Sequence, residues 1–156
     1  MKRKTKLKSI CTLFALLHAC VWVVSCSAID PCDGVACSTG PPRFDVVFVD
    51  KESGKDAFAE GRFNPSEVRV IPDNGGHVYS KLMGNGDDKV LAISLPSKAG
   101  EVRLTVSLDE TTKISLKANV REGKAKCCTN YFAEEIAALD ISGELDKKTG
   151  YLKIVL

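Results

Sequence analysis

Residues that carry chemistry are scarce in this chain of 156 residues. It holds two histidines, His18 and His77, and one tryptophan, Trp22. A Ser-His-Asp or Cys-His centre needs a histidine base, so few positions can serve one. No Gly-rich loop opens a helix, which removes the backbone cradle that nucleotide phosphates require. No cysteine pair has the Cys-x-x-Cys spacing of a thioredoxin-like redox centre. Acids are plentiful, yet no carboxylate pair is singled out. Glu134 and Glu135 are adjacent, and on a strand they would face opposite sides of a sheet. Low-complexity segments are absent as well.

The first residues address the compartment. Lys2, Arg3, Lys4, Lys6 and Lys8 are followed by Ile10 to Val24, apolar except for Thr12 and His18. A basic start, a short greasy run and a small residue at its end predict a secretory signal. The run of about 15 residues falls short of the roughly 20 that span a bilayer. Val23-Val24-Ser25-Cys26 then resembles the lipobox of bacterial lipoproteins. That resemblance implies a diacylglycerol on the Cys26 thiol and cleavage after Ser25.

Cleavage changes the inventory. With five basic residues removed, 22 Lys and Arg become 17 against 20 Asp and Glu, so the charge of +2 becomes about −3. A net-acidic chain has no broad attraction to phosphates, which argues against nucleic acid as partner. It also leaves membrane attachment to the lipid rather than to charge. Trp22 and His18 leave with the signal, and His77, beside Gly75-Gly76, reads as an exposed turn residue. With no tryptophan and three tyrosines, Tyr79, Tyr131 and Tyr151, the mature chain is poorly equipped to stack on sugars.

Four cysteines remain beyond Cys26: Cys32, Cys37, Cys127 and Cys128. An even number in an exported chain predicts two disulfides. Bonding Cys127 to its neighbour Cys128 would need a strained eight-membered ring. The expectation is therefore that Cys32 and Cys37 join Cys127 and Cys128, in either order. A zinc site is the rival, but this spacing departs from the usual zinc patterns.

Three segments follow: a signal at 1–25, a lipid-anchored tether at 26–42 and one domain at 43–156. Strand signals recur along the domain. Val102, Leu104, Val106 and Leu108 alternate with polar residues, as do Ile114, Leu116, Ala118 and Val120. Period two marks strands with one face buried. Glu67–Ile71 and His77–Leu82 flank Pro72-Asp73-Asn74-Gly75-Gly76 and read as a hairpin. The stretch 131–139 is compatible with strand or helix, and a strand with a bulge is preferred. Ile141–Leu145 and Tyr151–Leu156 form a closing hairpin, and that final apolar strand should lie inside a sheet. Val49-Asp50-Lys51-Glu52-Ser53-Gly54 is echoed by Leu145-Asp146-Lys147-Lys148-Thr149-Gly150, the same turn chemistry used twice. The fold class predicted is all-β: a single antiparallel β-sandwich, Ig-like or transthyretin-like.

The lipobox cysteine, the cysteine-bearing tether, Phe44–Val49 running into Asp50-Lys51-Glu52-Ser53-Gly54, the Cys127-Cys128 pair and the final Gly150-Tyr151-x-x-Ile154 strand together resemble small outer-membrane lipoproteins of the Bacteroides type. The resemblance implies an exported β-domain and brings no catalytic residues. The function expected is a lipid-anchored, non-catalytic binding or assembly module of the bacterial cell envelope; a small envelope hydrolase or a protease-inhibitor-like protein is the alternative. Expected partners are the membrane, through Cys26, and another envelope protein. No cofactor and no metal is expected. Asn85, Asp87 and Asp88 offer hard oxygens for calcium but not a full shell. The tips at Asp73–Gly76, with Asp73 and Asn74, and at Gly84–Asp88 are the loops expected to meet a partner.

Overall fold

A computed structural model of the chain describes residues 31–37, 39–84 and 89–156. The lipidation site Cys26, the signal, and Asn85, Asp87 and Asp88 lie outside those residues. The sandwich belongs to the unit Cys37–Leu156. Of the preceding unit, residues 31–36 are described, with a turn over Pro31–Gly34.

Nine strands and no helix make up the described residues: β1 (Arg43–Val49), β2 (Arg69–Pro72), β3 (Tyr79–Met83), β4 (Val90–Ser94), β5 (Gly100–Ser107), β6 (Lys113–Lys124), β7 (Thr129–Ala138), β8 (Gly143–Leu145) and β9 (Tyr151–Val155). They form a five-stranded sheet, β3-β4-β1-β9-β8, and a four-stranded sheet, β2-β5-β6-β7. The two sheets pack face to face as a β-sandwich.

Alternation decides which side chains enter the core. Phe44, Val46 and Phe48 of β1 meet Leu91 and Ile93 of β4 and Leu152 and Ile154 of β9. Val102, Leu104 and Val106 of β5 and Ile114, Leu116, Ala118 and Val120 of β6 line the opposing layer. All of these are buried, and burial of this kind stabilises by about 25 cal/mol per Å² of apolar surface. The β1–β2 connection adds a plug with no period of its own. Ala57, Phe58 and Phe63 are buried there, and the Phe58 ring meets Phe48 edge-on at 5.9 Å and Phe63 at 6.1 Å.

Two expectations need correction. The sandwich is not wholly antiparallel, because β1 and β9 pair in parallel, with Val47 opposite Lys153. Inward alternation is identical for either direction, so apolar pattern alone does not encode it. The β2–β3 hairpin does not exist. Strand β2 pairs with β5, and β3 pairs with β4. The Pro72–Gly76 turn therefore carries the chain from one sheet to the other, and the Asp73 amide continues the β2–β5 ladder by donating to the Arg103 carbonyl at 3.1 Å.

Other expectations hold. Residues 129–138 form a strand with a bulge: β6 advances two residues from Lys117 to Asn119 while β7 spans three, from Ala137 to Glu134. The extra residue is accommodated at Glu135, whose φ of 51° is left-handed. The bulge flips parity, so Tyr131 and Ala133 point inward before it, and Ile136 and Ala138 after it. Strand β9 sits between β1 and β8, well inside its sheet. The two echoed turns have one geometry. Gly54 N–H donates to the Asp50 carbonyl at 2.9 Å, and Gly150 N–H to the Asp146 carbonyl at 2.7 Å. Both glycines take positive φ, 70° and 75°.

A candidate binding cleft on the five-stranded sheet

Residues of β1 that point away from the core are Arg43, Asp45, Val47 and Val49. The last two are valines, half-buried although they face outward. Beside them lie Val90 at the start of β4 and Tyr151 and Lys153 of β9. This apolar floor becomes a cleft because the chain after β1 folds back as a wall, residues Gly54 to Glu60. The cleft is half open to solvent and its volume is about 840 Å³, inside the range typical of small-molecule sites.

The wall is fixed from several sides. Asp50 Oδ1 accepts from the Glu52 and Ser53 amides, each at 2.9 Å. Its other oxygen accepts from Arg62 Nη1 at 2.6 Å. These bonds, led by the Ser53 amide, hold the Asp50 carboxyl below the usual carboxylate range. Asp56 Oδ1 accepts from the Phe58 and Ala59 amides at 2.8 and 2.9 Å. Its Oδ2 reaches across to the Lys89 amide at 3.0 Å and so ties the wall to the segment entering β4. Glu60 accepts the Ser53 hydroxyl at 2.7 Å and lies 3.9 Å from Lys55 Nζ. Below the wall, Phe58 anchors it in the core.

Sequence reasoning placed its candidates elsewhere. Asp73 and Asn74 are exposed in the crossover between sheets, where Asn74 Oδ1 accepts from the Gly76 amide at 3.0 Å. Neither lines the cleft. Strand β3 follows this crossover, and residues 85–88 of the second nominated tip lie outside the described residues. His77 is exposed in the same crossover and is also outside the cleft. Among the described residues, no three His, Cys, Asp or Glu side chains converge as metal ligands. Tyr79 is exposed on the edge strand, whereas Tyr151 is half-buried in the cleft floor.

The cleft residues carry one signal in the sequence. Strand β1 reads Val46-Val47-Phe48-Val49, apolar on both faces, and β4 opens Val90-Leu91-Ala92-Ile93. An apolar run without alternation marks a strand whose second face is also covered or occupied.

Cys37 is bonded to Cys128, and Cys32 and Cys127 are disulfide-bonded as well. The Cys37–Cys128 bond joins one cysteine of the amino-terminal pair to one of the carboxy-terminal pair, as expected, and the vicinal ring is avoided. Lys126 and Cys127 form the tip of the β6–β7 hairpin, closed by Ala125 and Cys128 bonding to each other's backbone at 2.8 and 3.3 Å. Disulfides of this kind belong to an extracytoplasmic, oxidising compartment. No helix of the described residues is long and apolar enough to cross a membrane. Compared with protein-family models, curated proteins and solved structures, the chain finds no match.

Proposed function

We propose that this protein is a lipid-anchored binding module of the bacterial cell envelope, held to the outer membrane through Cys26, which works without catalysis by presenting the cleft on its five-stranded sheet. The observation that carries this reading is the cleft itself: an apolar floor on a rigid sheet, under a wall tied down by Asp50, Asp56 and Phe58. A preorganised surface loses little entropy on binding. Lipid attachment adds to this, because confinement to a membrane raises the effective concentration of the module toward neighbouring envelope components. Its partners are the membrane, a ligand in the cleft and, through it, another envelope protein. The net-acidic mature chain disfavours nucleic acid.

A deletion strain tests the reading. Fatty-acid labelling should mark the wild-type chain and not Cys26→Ser. A secreted form without the lipid should fail to complement, whereas His77→Ala should complement fully. Rescue by the soluble form together with loss of function in His77→Ala would establish a histidine-dependent enzyme instead.

A further inference from the structure

We infer that the cleft takes an amphipathic small-molecule anion, its slender apolar body lying on Val47, Val49, Val90 and Tyr151 and its carboxylate-type head meeting Lys89 and Lys153. The inference rests on the cleft being a ligand site, and it adds the chemistry of the ligand.

The floor sets the first requirement. Valines half-exposed on the outside of a sheet gain from covering by an apolar body, and the lysine stems extend that apolar surface while their heads remain in water. Charge sets the second. The cleft is lined by three lysines, Lys55, Lys89 and Lys153, and two acids, Asp56 and Glu60. Both acids are already committed. Asp56 spends its two oxygens on three backbone amides, and Glu60 takes the Ser53 hydroxyl and faces Lys55.

The remaining lysines have no such partner. Among the described residues, neither Lys89 nor Lys153 makes a side-chain ion pair. Lys153 acts on Asp146 from a distance, as the least of the influences lowering that carboxyl, which its own turn amides already satisfy. An anion would meet two ammonium groups that no described acid pairs with, beside an apolar floor where charge attraction is less screened than in open water. A cation of the same shape would meet them in repulsion, and the two acids of the lining are tied up; Glu144, opposite Lys153 in the β8–β9 ladder, is not among the lining residues. The cleft is thus locally basic on a mature chain that is acidic overall.

Methyl NMR of the full-length chain in zwitterionic nanodiscs tests this with hexanoate, hexylammonium and acetate. Hexanoate should shift the Val47, Val49 and Val90 methyls saturably and bind at least about tenfold more tightly than hexylammonium, the scale of one charge-assisted contact. Acetate, having the head without the body, should not saturate. The double variant Lys89→Gln/Lys153→Gln should lose the preference, with the two six-carbon ligands binding about equally. Equal binding of both ligands to the wild-type chain, or a preference that survives the double variant, overturns the anion assignment while leaving the cleft as a ligand site. No saturable shift at the valines with either ligand overturns the cleft as a site. The wild-type comparison decides even where the variant folds poorly.

Discussion

On the four-stranded sheet the outward positions of β5 and β6 read Glu101, Arg103, Thr105 and Ser107, then Lys113, Ser115, Lys117, Asn119 and Arg121. On the five-stranded sheet the outward positions of β1 end in Val47 and Val49. The first surface answers part of its own charge. Arg103 pairs with Glu101 at 2.7 Å and Arg121 with Glu134 at 2.8 Å. Thr105 stands opposite Ser115 in the ladder. Arg121 also lies over the Phe132 ring, 5.5 Å from its centroid, and that ring covers Gly123. Exposed pairs of this sort contribute little to stability, about 0–1 kcal/mol each, and Lys113 and Lys117 of the same face join no ion pair among the described residues. The second surface pairs Arg43 with Asp45 at 2.8 Å, but beyond that pair its apolar side chains lie half-open to solvent beside lysines. The difference is one of apolar exposure: the outward positions of β5 and β6 are polar throughout, whereas those of β1 end in valines that water covers poorly.

The largest expected effect comes from breaking the support of the cleft. Phe58 is 4% exposed and joins the wall to Phe48 and Phe63. Phe58→Ala should cost about 3–5 kcal/mol in urea denaturation. Hydrogen exchange should locate the damage at β1 and the wall, with β6 and β7 nearly as protected as before. Equal loosening of both sheets would show that the plug does not belong to the cleft side.

A second perturbation strikes the other sheet. The Cys37–Cys128 bond closes a sequence separation of 91 residues at the tip of the β6–β7 hairpin. Replacing both cysteines by alanine should cost about 2 kcal/mol, because Cys32 and Cys127 stay bonded. Exchange should then accelerate around Ala125 to Thr129, while the Val47 and Val49 amides keep their protection. Hexanoate binding should be unchanged, because no cleft residue depends on this bond. A simultaneous loss of binding would mean that the two faces are coupled and that the contrast between them is only one of composition.

What the sequence makes legible follows the same division. Strands β5 and β6 are two-faced, and their period-two patterns identify them outright. The bulge in β7 is readable too, once Tyr131 and Ala133 are seen to change parity to Ile136 and Ala138. The cleft side is harder. Its wall depends on Ala57, Phe58 and Phe63, spaced with no strand or helix period, and hydrophobic patterning is silent there. The parallel β1–β9 pairing joins the first strand to the last, and a local turn cannot announce it. Pro72–Gly76 declares a reversal correctly but not which sheet receives the chain. Turn chemistry fixes local direction, and the destination is set by which apolar face remains to be covered.

The smallest expected effects sharpen the contrast through the turns that serve each sheet. Asp50 and Asp146 brace turns on the five-stranded side, and Asp109 braces the β5–β6 turn of the other. Each carboxyl is held below its usual range chiefly by a turn amide: Ser53 for Asp50, Thr112 for Asp109 and Lys148 for Asp146. A depressed folded-state pKa contributes stability that is complete above the unfolded value, near 4 for Asp, and is lost as pH falls through the folded value. The urea midpoint should therefore change little on this account from pH 7 to pH 5 and decline below about pH 4. Asparagine keeps an oxygen for the amides and removes the charge. Asp50→Asn, Asp109→Asn and Asp146→Asn should each lower the midpoint slightly at pH 7 and converge on the wild type in acid, where the aspartates are themselves neutral. Asp50→Asn should be the largest of the three, because it also weakens the contact with Arg62, which donates as well to the Leu156 carbonyl at 3.3 Å. It alone should loosen the wall and weaken hexanoate binding. Asp146→Asn, with the same turn but no arginine, should leave binding intact. If the two behave alike, the shared turn chemistry dominates and the arginine tie contributes nothing to the cleft.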